Sequence, residues 1–151
     1  MKFKGVSRVV IAVKDLNKAV ALYSRLFDTT FKEGDGAMDA SYGIRAAVSW
    51  DAAIEIVTPI PGSNAHMGQA VARFLERNGG GIYSVVFSVD NVDQAYTWAT
   101  EMGVRVSDKF ELDPEQIGRY LDDKFKKFKQ YSLNAADTCG VQIVVGQIEP
   151  K

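Results

Sequence analysis

The sequence is poorest in the two residue types that most often carry chemistry. Of 151 residues, one is cysteine (Cys139) and one is histidine (His66). A lone cysteine excludes an internal disulfide and any thiolate metal cluster. A lone histidine excludes every metal site that needs two imidazoles from one chain. Net charge is lacking too: 18 Lys and Arg stand against 19 Asp and Glu, leaving −1 and a pI near 5.8. No broad basic field exists to hold nucleic acid or an anionic membrane. No apolar run approaches the ~20 residues that span a bilayer. The opening M-K-F-K-G-V-S-R has no apolar signal core, so the expectation is a cytoplasmic protein. With 46 % hydrophobic and 25 % charged residues, the chain reads as globular. A chain of this length buries about two-thirds of its unfolded surface.

What is present is a repeat. Residues 8–31, R-V-V-I-A-V-K-D-L-N-K-A-V-A-L-Y-S-R-L-F-D-T-T-F, align without a gap on the stretch that starts at residue 84, S-V-V-F-S-V-D-N-V-D-Q-A-Y-T-W-A-T-E-M-G-V-R-V. Val9 falls on Val85, Ile11 on Phe87, Leu16 on Val92, Ala19 on Ala95 and Leu26 on Met102. Each copy opens with a short β-branched run, which favours a strand. Asp15 in the first copy, and Asn91 or Asp93 in the second, can cap the helix that follows. Alternation puts Arg8, Val10 and Ala12 on one face of the first strand and Val9, Ile11 and Val13 on the other.

The rest of the chain follows in order. Residues 33–43 are polar and turn-rich. Residues 44–50 and 53–58 read as two strands of a hairpin around Asp51 and Ala52. Ser63 or Asn64 can cap a helix over 65–77, which Asn78-Gly79-Gly80-Gly81 stops. Pro114 opens a helical insertion near 113–127, with Ile117, Tyr120, Leu121, Phe125 and Phe128 at near-helical spacing. Residues 128–134 and 141–148 read as a closing hairpin. The expectation is an α+β fold of two tandem βαβββ modules, 6–62 and 82–149, joined by a helix and glycine linker at 63–81 in one 151-residue domain. The modules form a curved open barrel or cup with helices outside.

Several pieces resemble the vicinal-oxygen-chelate superfamily, which groups glyoxalase I, methylmalonyl-CoA epimerase, extradiol dioxygenases and bleomycin-resistance proteins. They are I-A-V-K-D-L-N-K-A-V-A-L-Y, I-E-I-V-T-P, A-R-F-L-E-R-N-G-G-G-I-Y-S-V-V-F-S-V-D-N-V and N-A-A-D-T-C-G-V-Q-I, and they are most similar to methylmalonyl-CoA epimerase. The resemblance implies a divalent metal held by four side chains, one opening the first strand of each half and one on the last strand of each half. Those positions here are Arg8, Glu55, Ser84 and Val144. Only Glu55 fits. A guanidinium cannot ligate and valine has no donor atom. The expectation is therefore no metal and no other cofactor.

The resemblance places these four positions on the floor of the cup. An Arg8–Glu55 ion pair is the expected occupant, since unpaired buried charges cost several kcal/mol. Arg8 is then either half of a structural salt bridge or a bidentate partner for a ligand carboxylate, enolate or carbonyl oxygen. Val10, Ala12, Val57, Val86, Ser88 and Gln142 share the inward parity and suit a small, partly apolar organic ligand. His66 is a candidate acid or base at the rim. The lysine cluster at 124–129 reads as a solvated face, with attraction of a CoA phosphate as the sharper alternative.

The expected function is binding of a small molecule. Its catalytic form is a metal-independent isomerase, epimerase or lyase acting next to a carbonyl, with Glu55 as base and Arg8 as oxyanion partner. The alternative is a non-catalytic, ligand-sequestering protein like the bleomycin-resistance proteins, because an arginine-paired carboxylate accepts a proton poorly. Nucleic acid and membrane partners are not expected; a homodimer is, since relatives commonly join open sheet edges or exchange halves.

Overall fold

The computed structural model describes residues 2–121 and 123–151, so residue 122 of the expected insertion lies outside the described residues. The chain divides into two compact units. One is residues 8–83; the other is residues 84–151 together with residues 1–7. The strand β1 (Phe3–Ala12) contributes to both, its first five residues to one unit and the remainder to the other.

In the unit of residues 8–83, β1 leads into α1 (Leu16–Leu26), β2 (Lys32–Glu33), α2 (Gly36–Tyr42), β3 (Ile44–Ser49), β4 (Ile54–Pro59) and α3 (His66–Asn78). The sheet order is β2-β3-β4-β1. β1 and β4 run parallel, with Val10 opposite Glu55, while β4, β3 and β2 are antiparallel neighbours. Val9, Ile11 and Val13 pack with Leu16, Ala19, Val20 and Tyr23 of α1 around Ala47, Ile54 and Ile56. That cluster accounts for α1: its apolar stripe covers one face of the sheet, and Asp15 caps its first turn by accepting from Lys18 N at 3.0 Å.

The other unit repeats the plan. β5 (Gly81–Val89), whose residues 84–89 belong here, leads into α4 (Val92–Glu101), β6 (Val106–Leu112), α5 (Pro114–Tyr120), β7 (Phe125–Leu133) and β8 (Ile143–Pro150). The order is β5-β8-β7-β6, with β5 and β8 parallel and the rest antiparallel. Asn91 caps α4 through Gln94 N at 3.0 Å. Val89, Val92, Ala95, Tyr131 and Val145 form its core cluster. Residues 2 and 3 are held here: Lys2 N donates to Asp90 Oδ1 at 2.7 Å and Phe3 meets Phe87 edge-on at 6.2 Å.

Three local expectations change. The polar stretch 33–43 is more than turn: Asp35 caps α2 by accepting from Ala37 N at 2.8 Å, and Gly43 ends it at φ +72°. Each unit thus has a short helix between its second and third strands. Phe125 and Phe128 lie on β7 rather than on the helix opened by Pro114, which stops at Tyr120. Their three-residue spacing imitates a helix, but strand pairing with β8 and β6 sets the backbone. α3 is capped at Ala65 without a side-chain bond, because the Ser63 hydroxyl instead accepts from Ala65 N at 3.2 Å. Here α3 packs close to Gly43: a methyl group on Gly68 would collide with the Gly43 carbonyl oxygen. No helix among the described residues is long and apolar enough to cross a membrane.

Candidate functional site

Arg8 is two residues before Val10 on β1, and Val10 lies opposite Glu55 on β4. Strand alternation therefore brings both side chains to one sheet face. Arg8 Nε donates to Glu55 Oε1 at 2.8 Å, with Arg8 2 % and Glu55 20 % exposed. Trp50, one residue beyond β3, adds its ring face 5.2 Å from the guanidinium carbon. Cation–π contact in a buried setting reinforces the ion pair. Across the sheet from Glu55 stands Val48, and across from Val48 stands Lys32. Directly opposed residues share a face. One row thus reads Lys32, Val48, Glu55, Val10, with Arg8 and Trp50 beside it. Ala12 and Val57, opposed in register and both buried, continue the face as an apolar floor.

In the other unit, Ser84 lies two residues before Val86, and Val86 is opposite Val144. All three are buried. Ser88, opposite Gly146, is half-buried. Gln142 directs its amide to a backbone carbonyl, donating to Leu133 O at 3.3 Å. The two repeats therefore differ in polarity at equivalent strand positions: an ion pair in one, a hydroxyl and an isopropyl group in the other. His66 opens α3 as an exposed residue outside the row described above.

Two residues near this face escape the sequence reading. Trp50 shares the parity of Val48 and could have been found by extending the alternation of residues 44–50. Lys32 depends on β2, which at two residues is too short to show a period. A third omission is Asp39 on α2, a buried carboxyl group raised to about 6 by burial first. Arg45 opposes that shift, while Asp35 and Glu33 add to it. Two of the four lysines of 124–129 face acids: Lys129 holds Asp93 at 2.7 Å and Lys126 lies 3.6 Å from Glu149.

The sequence model of the Glyoxalase/Bleomycin resistance protein/Dioxygenase superfamily matches residues 7–119. The chain belongs to that superfamily. Among solved structures it is similar to methylmalonyl-CoA epimerase from Mycobacterium tuberculosis, at 22 % identity and TM-score 0.71, over 99 % of this chain and 89 % of that one. It is also similar to a Streptomyces coelicolor methylmalonyl-CoA epimerase variant in complex with 2-nitronate-propionyl-CoA (19 %, TM-score 0.71, 97 % and 98 % covered). A hypothetical protein from Bacillus halodurans matches at 16 % identity and TM-score 0.72, covering 100 % of this chain and 98 % of that chain. Such distant likeness shows the α+β fold and leaves function to the site. Comparison with curated proteins found no match.

The residues at the four positions where the resemblance implies metal ligands, Arg8, Glu55, Ser84 and Val144, do not make up a donor set for a divalent ion. Arg8 supplies a permanent cation and Val144 no donor. Among the described residues, no group of three or more His, Cys, Asp or Glu is placed to hold one.

Proposed function

We propose that this superfamily member binds a small organic acid or acyl compound over the Arg8–Glu55 face and does so without a metal. The observation that carries this reading is the buried Arg8–Glu55 pair, 2.8 Å long and backed by Trp50. The resemblance to the superfamily implies a metal ligand at the position of Arg8; a fixed guanidinium there supplies a cation instead, and its planar fork suits a carboxylate, enolate or thioester oxygen. Val10, Ala12 and Val57 supply the apolar part of the surface. In the catalytic form, Arg8 stabilises charge developing on a carbonyl oxygen and Glu55 takes the neighbouring proton.

A ligand-sequestering protein is the second reading, favoured by one feature: Glu55 already accepts a charged hydrogen bond from Arg8. A carboxylate so engaged is a weak proton acceptor. The neighbouring epimerases make acyl-CoA esters the first ligands to try, with aromatic acids and glycopeptide drugs beside them. The expected outcome is a rise in melting temperature with one of these classes, unchanged by EDTA and lost in Arg8→Met and Glu55→Gln. Stabilisation that survives both substitutions would place the ligand elsewhere. Exchange of the ligand's α-proton in D2O separates the two readings: exchange marks the enzyme, binding without exchange the sequestering protein.

A further inference from the structure

The ring that faces Arg8 is carried by a turn, and the turn is tied down at both ends. Trp50 follows β3 directly, and the chain reaches β4 through Asp51, Ala52 and Ala53. Ser49, 2 % exposed, stands at the entrance. Its hydroxyl accepts from Ala52 N at 3.2 Å and lies 2.7 Å from the Thr29 hydroxyl. At the exit, Ala53 N donates to Trp50 O at 3.3 Å, and Ala53 O accepts from Val9 N at 3.0 Å. Val9 is the neighbour of Arg8, so two hydrogen bonds through Ala53 join the backbone of Trp50 to the strand beside that arginine. Ala53 has φ +55°, a left-handed backbone that a residue other than glycine keeps only where its surroundings fix it.

What the turn delivers is an indole face 5.2 Å from the guanidinium carbon. The bond to Glu55 holds the guanidinium at Nε. By itself such a bond lets the planar fork beyond it tilt. A ring face against the guanidinium carbon opposes the tilt and favours the cation at the same time. The other repeat keeps the backbone link and not the ring. There Val85 N donates to Gln142 O at 3.0 Å, as Val9 N does to Ala53 O. Ile54 is paired with Val9 and Ile143 with Val85. Four residues before Ile54 stands Trp50; four before Ile143 stands the exposed Cys139. The indole thus accompanies the repeat that carries Arg8 and is absent from the one that carries Ser84.

We infer that Trp50 is the positioning residue of the Arg8–Glu55 face: it acts on a ligand through Arg8, holding the guanidinium at the tilt from which its fork meets a carboxylate or acyl oxygen. This rests on the reading that the face binds an organic acid or acyl compound, and it assigns to that face a residue that acts through its neighbour. Orienting the fork before the ligand arrives removes an ordering cost that binding would otherwise carry.

Propionate, a carboxylate with a short apolar tail, is the probe. It is titrated into the full chain against chloride at matched ionic strength, and binding is read from the Arg8 Nε–Hε signal in an NMR spectrum, assigned by its loss in Arg8→Met. In the wild type the signal moves and saturates. Trp50→Leu, which keeps apolar bulk and removes the ring, weakens propionate about tenfold. Trp50→Phe, which keeps a ring, stays within about twofold of the wild type. Ser49→Ala, which loosens the turn and leaves the ring and the ion pair, weakens binding by a smaller factor. Propionate affinity unchanged in Trp50→Leu, with only the melting temperature lowered, overturns the inference and leaves the binding reading standing. So does an equal loss in the Leu and Phe variants or, where Trp50→Leu fails to fold, unchanged affinity in Ser49→Ala. A wild-type Arg8 signal that propionate does not move overturns the inference and the binding reading together.

Discussion

Arg8 and Glu55 show how much one residue pair decides. Nearly all of Arg8 is out of water, so its charge is tolerable only with its partner and the Trp50 ring in place. Glu55→Gln is expected to lower stability by about 3 kcal/mol, because it removes the carboxylate that accepts from the buried Arg8 Nε. Arg8→Met combined with Glu55→Leu should recover most of that loss, and urea denaturation of the three variants measures the difference. Asp39 makes the opposite case. Its carboxyl group titrates near 6 in the fold against about 3.9 in an unfolded chain, so the native state binds the proton more tightly. Stability therefore falls as pH rises from about 4 to about 6 and levels off above that. Asp39→Asn should abolish this decline and stabilise the fold at pH 7 by on the order of 2 kcal/mol, read from denaturation midpoints at both ends of the window. The sequence could reveal the first residue and not the second. Arg8 stands out because a charge lies directly before an unbroken apolar run, although β1 itself begins at Phe3; Asp39 looks like any acid in a polar loop until α2 buries it.

Elements were legible where they were long and regular. The first strand, α1, β5 and α4 follow from alternation, helical spacing and caps, and the repeat doubles each signal. β2, with two residues, has no pattern to read. α2 and α5 have seven residues each, and only α5 has a proline to announce it. The interface between α2 and α3 rests on glycine rather than on a side chain, so periodicity cannot show it. Gly68 lies against the Gly43 carbonyl, which also accepts a hydrogen bond from Ile60 N at 2.8 Å. Gly68→Ala should cost about 2 kcal/mol, roughly 4–8 °C in melting temperature, by forcing α3 off that backbone. Gly36→Ala, at the first position of α2 with open space around it, should instead raise stability by about 0.5 kcal/mol. Equal losses at both glycines would show that close approach is not what matters at Gly68. At the start of α4 the same economy uses a buried glutamine: Gln147 Oε1 accepts from Val92 N at 3.2 Å.

For the whole molecule, the carboxylates set the response to acid. Asp90, Asp93, Asp137 and Glu149 all titrate below their usual range, Asp137 at about 2. Hydrogen bonds hold them down: from the Lys2 backbone, from Lys129, from the Arg105 side chain and from Gln147, in that order. Such groups stabilise the fold above an unfolded value near 4 and lose that contribution as pH falls through the folded one. Melting temperature should thus rise from pH 2 to about 4, decline modestly toward 6 through Asp39, and stay level to 8. A monotonic rise to neutrality would contradict that balance. The repeat made the two-unit plan readable from sequence. The division between Ser7 and Arg8 was not readable, because nothing in the uninterrupted run of β1 marks it.

That division has a kinetic side. Residues 2–7 fold with a unit whose other members begin at residue 84, and the Lys2–Asp90 bond spans 88 positions. During synthesis the segment is made early, yet its partners arrive only after the whole of residues 8–83 has been added. Closing so long a loop is slow compared with closing a hairpin. The first part of β1 therefore completes its contacts only once the second half of the chain has been made.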